Sequence, residues 1–141
     1  MAALNDHERQ TEPNRLPGRE MAADHVTALL DEASASGGGV LLAEDANGPC
    51  GLLFYLIARE FGRFVLPENQ RFGVISDLWV DARARRRGIA TALIASAERA
   101  LAAEGVRRVE ISAVSANKAA QRLYLAAGYA PAHVTLAKQI V

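Results

Sequence analysis

Residues 74–104 constrain this chain more than any other stretch. Val74–Val80 is apolar and strand-like, interrupted only by Ser76 and Asp77. A short loop holding Arg83, Arg85, Arg86 and Arg87 follows, and then Gly88. From Gly88 to Glu104 the spacing predicts a helix, with Ile89, Leu93, Ala97, Ala100 and Leu101 on one face and Gly105 as the C-terminal cap. A strand that feeds a helix in this way leaves the helix's first N–H groups unpaired, with the equivalent of about half a positive charge. Such a terminus is an anion site. Gly88 removes a side chain where a ligand would clash with it. The arginines add positive charge, and an arginine can grip a phosphate through two parallel hydrogen bonds. A di- or polyphosphate suits this arrangement. The pattern is neither a P-loop nor a dinucleotide Gly-x-Gly-x-x-Gly. The competing reading is an Arg-rich solvated loop with a small residue that eases helix packing.

The remaining elements follow from periodicity and turn residues. Residues 1–20 contain Pro13 and Pro17, many charges and few apolar side chains, so a flexible or irregular lead-in is expected there. Residues 21–141 are expected to form a single domain. Met21–Ala35 has helical spacing at Val26, Leu29, Leu30 and Ala33, ended by Gly37–Gly39. Val40–Glu44 and Gly51–Ala58 read as a hairpin around Asn47-Gly48. Residues 59–73, with Phe61, Phe64 and Phe72, read as an extension of that strand and then a loop. Val106–Val114 alternates apolar and polar residues as a half-buried strand does. Asn117–Ala127 predicts a second helix closed by Gly128, and Val134–Ile140 a last strand after Pro131.

Composition narrows the function. Of 141 residues 28 are alanine, so the core must be closely spaced. Lys+Arg and Asp+Glu both number 16, and a zero net charge argues against nucleic-acid binding by bulk charge. The halves differ, however. Residues 1–74 carry 11 acids and 6 bases, and residues 75–141 carry 5 acids and 10 bases. Either the basic half faces an anion, or the charges intermix on the surface. The single Cys50 excludes an intramolecular disulfide and a cysteine-rich zinc site, and nothing near it in sequence marks it as a nucleophile. His7, His25 and His133 lack metal-ligand spacing, so no metal is expected and each reads as a surface or packing residue. No apolar run approaches the roughly 20 residues of a membrane helix. The polar start does not look like a signal peptide, so no membrane partner and a cytoplasmic setting are expected.

Two motifs stand in order. Arg85 to Ala90, after the apolar strand, fits Arg/Gln-x-x-Gly-x-Gly/Ala, and Asn117, Tyr124 and Gly128-Tyr129 fit Asn…Tyr-x-x-x-Gly-Phe/Tyr. Together they resemble the signature of GNAT-type, acetyl-CoA-dependent N-acetyltransferases over roughly residues 40–141. The resemblance implies an α/β (α+β) fold, the acyl-CoA N-acyltransferase fold. Its mixed, mainly antiparallel central sheet is flanked by helices, and its fourth and fifth strands splay apart. It also implies that acetyl-CoA lies in that gap. Backbone groups of Leu78, Trp79 and Val80 would line the pantetheine arm. Arg85, Arg86, Arg87, Gly88, Ile89, Ala90 and Thr91 would take the pyrophosphate, with Asn117 and Tyr124 also touching the cofactor. The family usually opens with an apolar strand, and residues 1–20 contain no convincing one.

In that frame Tyr124 is the expected general acid, since a phenol of pKa near 10 can protonate a departing thiolate. Its ring has a packing reading as well, and Asn117 has one as a helix N-cap. An amine acceptor must lose a proton, and Asp77 is the first candidate base, with Glu44 second. Asp77 also has a reading as a structural anchor. Ser76 stands where some relatives carry Glu. The expected reaction is acetyl transfer to a primary amine by direct attack in a ternary complex. The rival is a catalytically silent acyl-CoA-binding sensor or regulatory module of the same fold. The aromatic loop Phe61–Phe72 is a candidate contact for a homodimer.

Overall fold

Strand alternation and one extra residue shape the centre of the molecule. The computed structural model describes residues 18–62 and 64–140, with the first four given by backbone alone. The lead-in expected over residues 1–20 therefore lies largely outside the described residues, but Gly18–Glu20 already belong to a helix. That helix, α1 (Gly18–Ser36), ends where Gly38 N–H bonds Ala33 C=O at 2.8 Å. β1 (Gly39–Asp45) and β2 (Gly48–Arg59) form the expected antiparallel hairpin, and Asn47 N–H donates to Asp45 Oδ1 at 2.8 Å inside the turn. A single 3-10 turn at Pro67–Asn69 interrupts the loop before β3 (Arg71–Val80), which starts three residues earlier than its apolar run predicts. Those three residues pair with Arg59, Ala58 and Ile57 of β2, so the ladder extends beyond the hydrophobic signal.

A 3-10 turn (Ala82–Ala84) leads into α2 (Ile89–Ala103); β4 (Val109–Ile111) and α3 (Lys118–Ala126) follow. The described residues form one four-stranded sheet of order β1-β2-β3-β4, with β3 and β4 parallel and the other pairs antiparallel. The fold is the mixed α/β arrangement expected, and the two strands that separate are β3 and β4. The residues ahead of α1, where an opening strand would fall, lie outside the described residues. No helix among them is long and apolar enough to cross a membrane.

The core lies between the sheet and α2. Leu93, Ile94 and Ala97 pack on Leu53 and Ile75, and Leu53, Ile94 and Leu101 are almost wholly buried. Each such side chain contributes about 1.5–3 kcal/mol by leaving water. Gly73 lets α2 sit this close, because a Cβ there would stand 2.5 Å from Leu101 Cδ1. On the opposite face, Phe54 and Asp77 are paired in register, and Asp77 meets His25 of α1. Adjacent residues of a strand point to opposite faces, so β2 is buried on both sides, by α2 at Leu53 and by α1 at Phe54.

Two strand expectations are corrected. Val106–Val114 pairs over Val109–Ile111 alone. Val134–Ile140 forms no strand: residues 130–140 are all exposed, and none of the described residues pairs with them in a ladder. Alternation makes a segment competent for pairing, but a strand exists only with a partner.

Candidate functional site

The site begins with an insertion in β3. Phe54 pairs with Asp77 and Tyr55 with Ile75, so Ser76 is an extra residue, a β-bulge. Before the bulge, β3 follows β4, with Gly73 N–H donating to Arg108 C=O at 2.8 Å. Pairing of the two strands ends at Ile75 and Ile111. Beyond that point they part. Leu78, Trp79 and Val80 line one wall of a cleft of about 570 Å³, and Ser112, Ala113 and Val114 line the other.

Hydrogen-bond directions show which backbone groups face the gap. Asp81 N–H donates to Cys50 C=O of β2 at 2.8 Å. By two-residue alternation the backbone groups of Val80 and Leu78 point away from β2, into the gap. One lone pair of the Val80 carbonyl is taken by Arg85 Nε at 3.0 Å.

The loop residues Arg85, Arg86 and Gly88 and the first turn of α2, Ile89, Ala90 and Thr91, border the cleft at one end. Arg86 (φ 60°) and Gly88 (φ 78°) are both left-handed, a conformation that turns successive N–H groups toward a common concavity. A Cβ at Gly88 would meet nothing within 4 Å, so the backbone conformation, and not crowding by the protein, calls for glycine there. The first hydrogen bond of α2 runs from Ala92 N–H to Gly88 C=O at 3.0 Å, and the N–H groups ahead of it have no partner within the helix.

The four arginines have separate duties. Arg83 Nη1 contacts Asp45 Oδ1 and Oδ2, each at 3.2 Å, and Arg87 Nη1 contacts Asp45 Oδ2 at 3.1 Å. Both therefore clamp the loop to the β1–β2 turn, and Arg87 is not at the cleft wall. The Asn47 N–H, with the two guanidinium groups, holds the Asp45 carboxyl below its ordinary range. Arg85 lies over the Trp79 ring, 4.8 Å from its centroid, and Arg86 borders the cleft.

Helix α3 supplies the far end. Asn117 Oδ1 accepts from Ala120 N–H at 3.1 Å, a helix N-cap, and Asn117 also lines the cleft, so the two expected positions coincide. Tyr124 lies about two turns further along the same helix face and lines the same cleft. Its ring meets Tyr129 edge-on at 6.4 Å, and Tyr129 donates to Glu98 Oε1 at 2.9 Å. Burial first, then Glu98, pushes the Tyr129 phenol far above its usual range, so it stays neutral beside Tyr124.

Asp77 is not among the cleft-lining residues; it stands on the α1 face of β3, beside the bulge. Its Oδ1 lies 3.4 Å from Nε2 of His25, a residue that sequence spacing marks only as surface or packing. The two are 52 positions apart, and no local signal joins them. Glu44 is exposed on β1. Among the described residues no group of acidic, histidine and cysteine side chains is arranged to hold a metal. An opened strand pair, an anion-binding helix terminus and a phenol meeting in one cleft fit a long ligand with a phosphorylated end and a reactive end.

The comparisons with known proteins agree with this architecture. The family model described as "Acetyltransferase (GNAT) family" matches residues 2–129. The chain belongs to that family, and is an acetyl-CoA-dependent N-acetyltransferase of it. Among solved structures, it resembles the aminoglycoside N-acetyltransferase AAC(6')-Iy in complex with CoA at 18% identity and a TM-score of 0.67, covering 87% of this chain and 88% of that one. A GCN5-related N-acetyltransferase from Ralstonia eutropha matches at 23% identity and a TM-score of 0.72, covering 94% and 86%. A transcriptional regulator from Bacillus halodurans matches at 14% identity and a TM-score of 0.74, covering 99% and 91%. No curated protein sequence matches the chain.

Proposed function

We propose that the cleft between β3 and β4 binds acetyl-CoA and that the protein transfers the acetyl group to a primary amine by direct attack in a ternary complex. One observation carries this reading: the strands part where the N-terminus of α2, Asn117 and Tyr124 converge. Backbone groups of Leu78 and Val80 hold the pantetheine arm as a neighbouring strand would. The amides from Arg86 to Thr91 take the pyrophosphate, with Arg85 and Arg86 as the cations nearest the cleft and Arg87 holding the loop in shape.

Bound acetyl-CoA supplies an activated thioester. Tyr124 Oη holds the proton that the departing sulfur requires. An aliphatic amine has a pKa near 10.4, so about one molecule in a thousand is neutral at pH 7, and removing the proton costs on the order of 4–5 kcal/mol. Asp77, with His25 beside it, accepts that proton from the α1 side of β3. The acidic N-terminal half favours a cationic acceptor. Aminoglycosides, on which the resembling enzymes are named as acting, are therefore the first amines to try. The protein functions as a homodimer, in line with the exposure of Phe61 and Phe64 in the loop between β2 and β3.

The test is acetyl-CoA-dependent thiol release across a panel of aminoglycosides, polyamines and lysine peptides. Release with at least one amine, slowed about 10²–10⁴-fold in Tyr124→Phe, is expected. Binding of acetyl-CoA with no release on any amine would replace this reading with the silent acyl-CoA-binding module.

A further inference from the structure

A carboxylate that takes a proton in one turnover must lose it before the next. The Asp77 side chain is only 15% exposed, whereas that of His25 is 35% exposed. Of the two, the imidazole has the wider contact with water. Past the bulge at Ser76, Asp77 pairs with Phe54 on the side of β3 that α1 covers, and there Oδ1 lies 3.4 Å from Nε2 of His25. His25 belongs to the stripe of α1 that faces the sheet, beside Val26 and one turn before the buried Leu29.

Among the described residues, the sheet offers this imidazole one enclosed titratable partner. On the faces of β2 and β3 turned toward α1, Leu52, Phe54, Leu56, Val74 and Trp79 carry no ionisable group, and Asp77 does. Glu44 of β1, and Asp24 and Glu32 of α1, are exposed, where water and salt screen them. Arg85 is a cation on the same side, stacked on Trp79 two residues along β3. A tie between α1 and β3 alone would need only a donor on the helix, which an amide side chain supplies. A histidine adds a group that ordinarily changes charge between pH 5 and 8.

We infer that His25 relays the proton of the reaction: Asp77 takes it from the ammonium group of the acceptor, and His25 carries it from Asp77 to solvent. The inference rests on the acetyl-transfer reading proposed above and adds α1 to the working site. An N–H bond of the ammonium breaks as an O–H bond forms on Asp77. That O–H bond breaks as the proton joins Nε2, in the tautomer whose hydrogen is on Nδ1. The imidazolium then gives a proton to water, which restores the carboxylate and the neutral ring. The net change is one proton moved from ammonium to solvent, with no oxidant or reductant. His25 acts through Asp77, so it is a positioning residue for proton transfer.

The experiment follows thiol release by the full chain across pH, with acetyl-CoA and, in turn, an aminoglycoside, spermidine and a lysine peptide. Wild type should lose kcat/KM for the amine in acid along a limb that His25→Gln lacks. Glutamine keeps a donor toward Asp77 but cannot carry the proton. At neutral pH its kcat should fall about 10²-fold, with the KM for acetyl-CoA changed by less than about twofold. In His25→Ala, which leaves room beside Asp77, added imidazole should restore kcat about tenfold, and an equal concentration of sodium chloride should not. Circular dichroism reports whether each variant has folded. A wild-type pH profile and kcat in His25→Gln overturns the relay and leaves His25 as a tie between α1 and β3. So does a loss in folded His25→Ala that imidazole fails to repair. If His25→Ala does not fold, the profile of His25→Gln decides. No release by wild type on any acceptor overturns the acetyl-transfer reading, and the relay with it.

Discussion

In the proposed reaction Tyr124 is the residue on which the chemistry turns. Replacing it by Phe removes one hydroxyl and leaves the ring against Tyr129. Steady-state kinetics should show kcat falling about 10²–10⁴-fold, the range of a positioned general acid, with the KM for acetyl-CoA little changed. A loss confined to KM would mean that the residue shapes the cleft only. Tyr129→Phe, just past the end of α3, is the control. It removes the bond to Glu98 and should cost about 0.5–1.5 kcal/mol in denaturant melts, with kcat largely retained. At this scale the sequence was partly legible. Asn117, Tyr124 and Gly88 are read from local spacing because a helix repeat or a turn places them. Their packing readings also hold, since Asn117 caps α3 and lines the cleft with one side chain. His25 was not legible, because its meeting with Asp77 depends on how α1 lies across the sheet.

The decisive elements are the loop from Asp81 to Gly88 and the helix it opens. Asp45 holds that loop through Arg83 and Arg87, and its carboxyl sits below the ordinary range. A depressed folded pKa means that stabilisation is complete above the unfolded value near 3.8 and is lost as pH falls through the folded one. Asp45→Asn should therefore melt lower at neutral pH and show a shallower further loss in acid, read by thermal melts across that range. It should also raise the KM for acetyl-CoA, because the loop that presents the amides loosens. The strand–loop–helix unit was legible in the sequence because apolar run, arginines and helical repeat are contiguous. The sharing of the arginines was not, since Asp45 lies 38 residues before Arg83. The bulge at Ser76 was likewise hidden, because register exists only between strands. The last strand differs for the same reason: Val134–Ile140 has the pattern, and none of the described residues pairs with it.

In the whole molecule, a core fixes β3 against α2, and the cleft opens where β3 and β4 cease to pair. Leu53→Ala should cost about 2–5 kcal/mol, as a buried leucine removed from a closed core does, and chemical denaturation measures it. The central claim is that the gap between β3 and β4, headed by Gly88, is an acetyl-CoA site. Thermal unfolding with and without acetyl-CoA, for wild type and Gly88→Val, tests it most directly. Ligand at about 100 times its Kd adds about 2.7 kcal/mol, roughly 5–15 °C for a domain of this size. The account predicts that rise in wild type and little or none in Gly88→Val, each measured against its own ligand-free melt. No rise in wild type at millimolar acetyl-CoA, or an equal rise in both proteins, would contradict it.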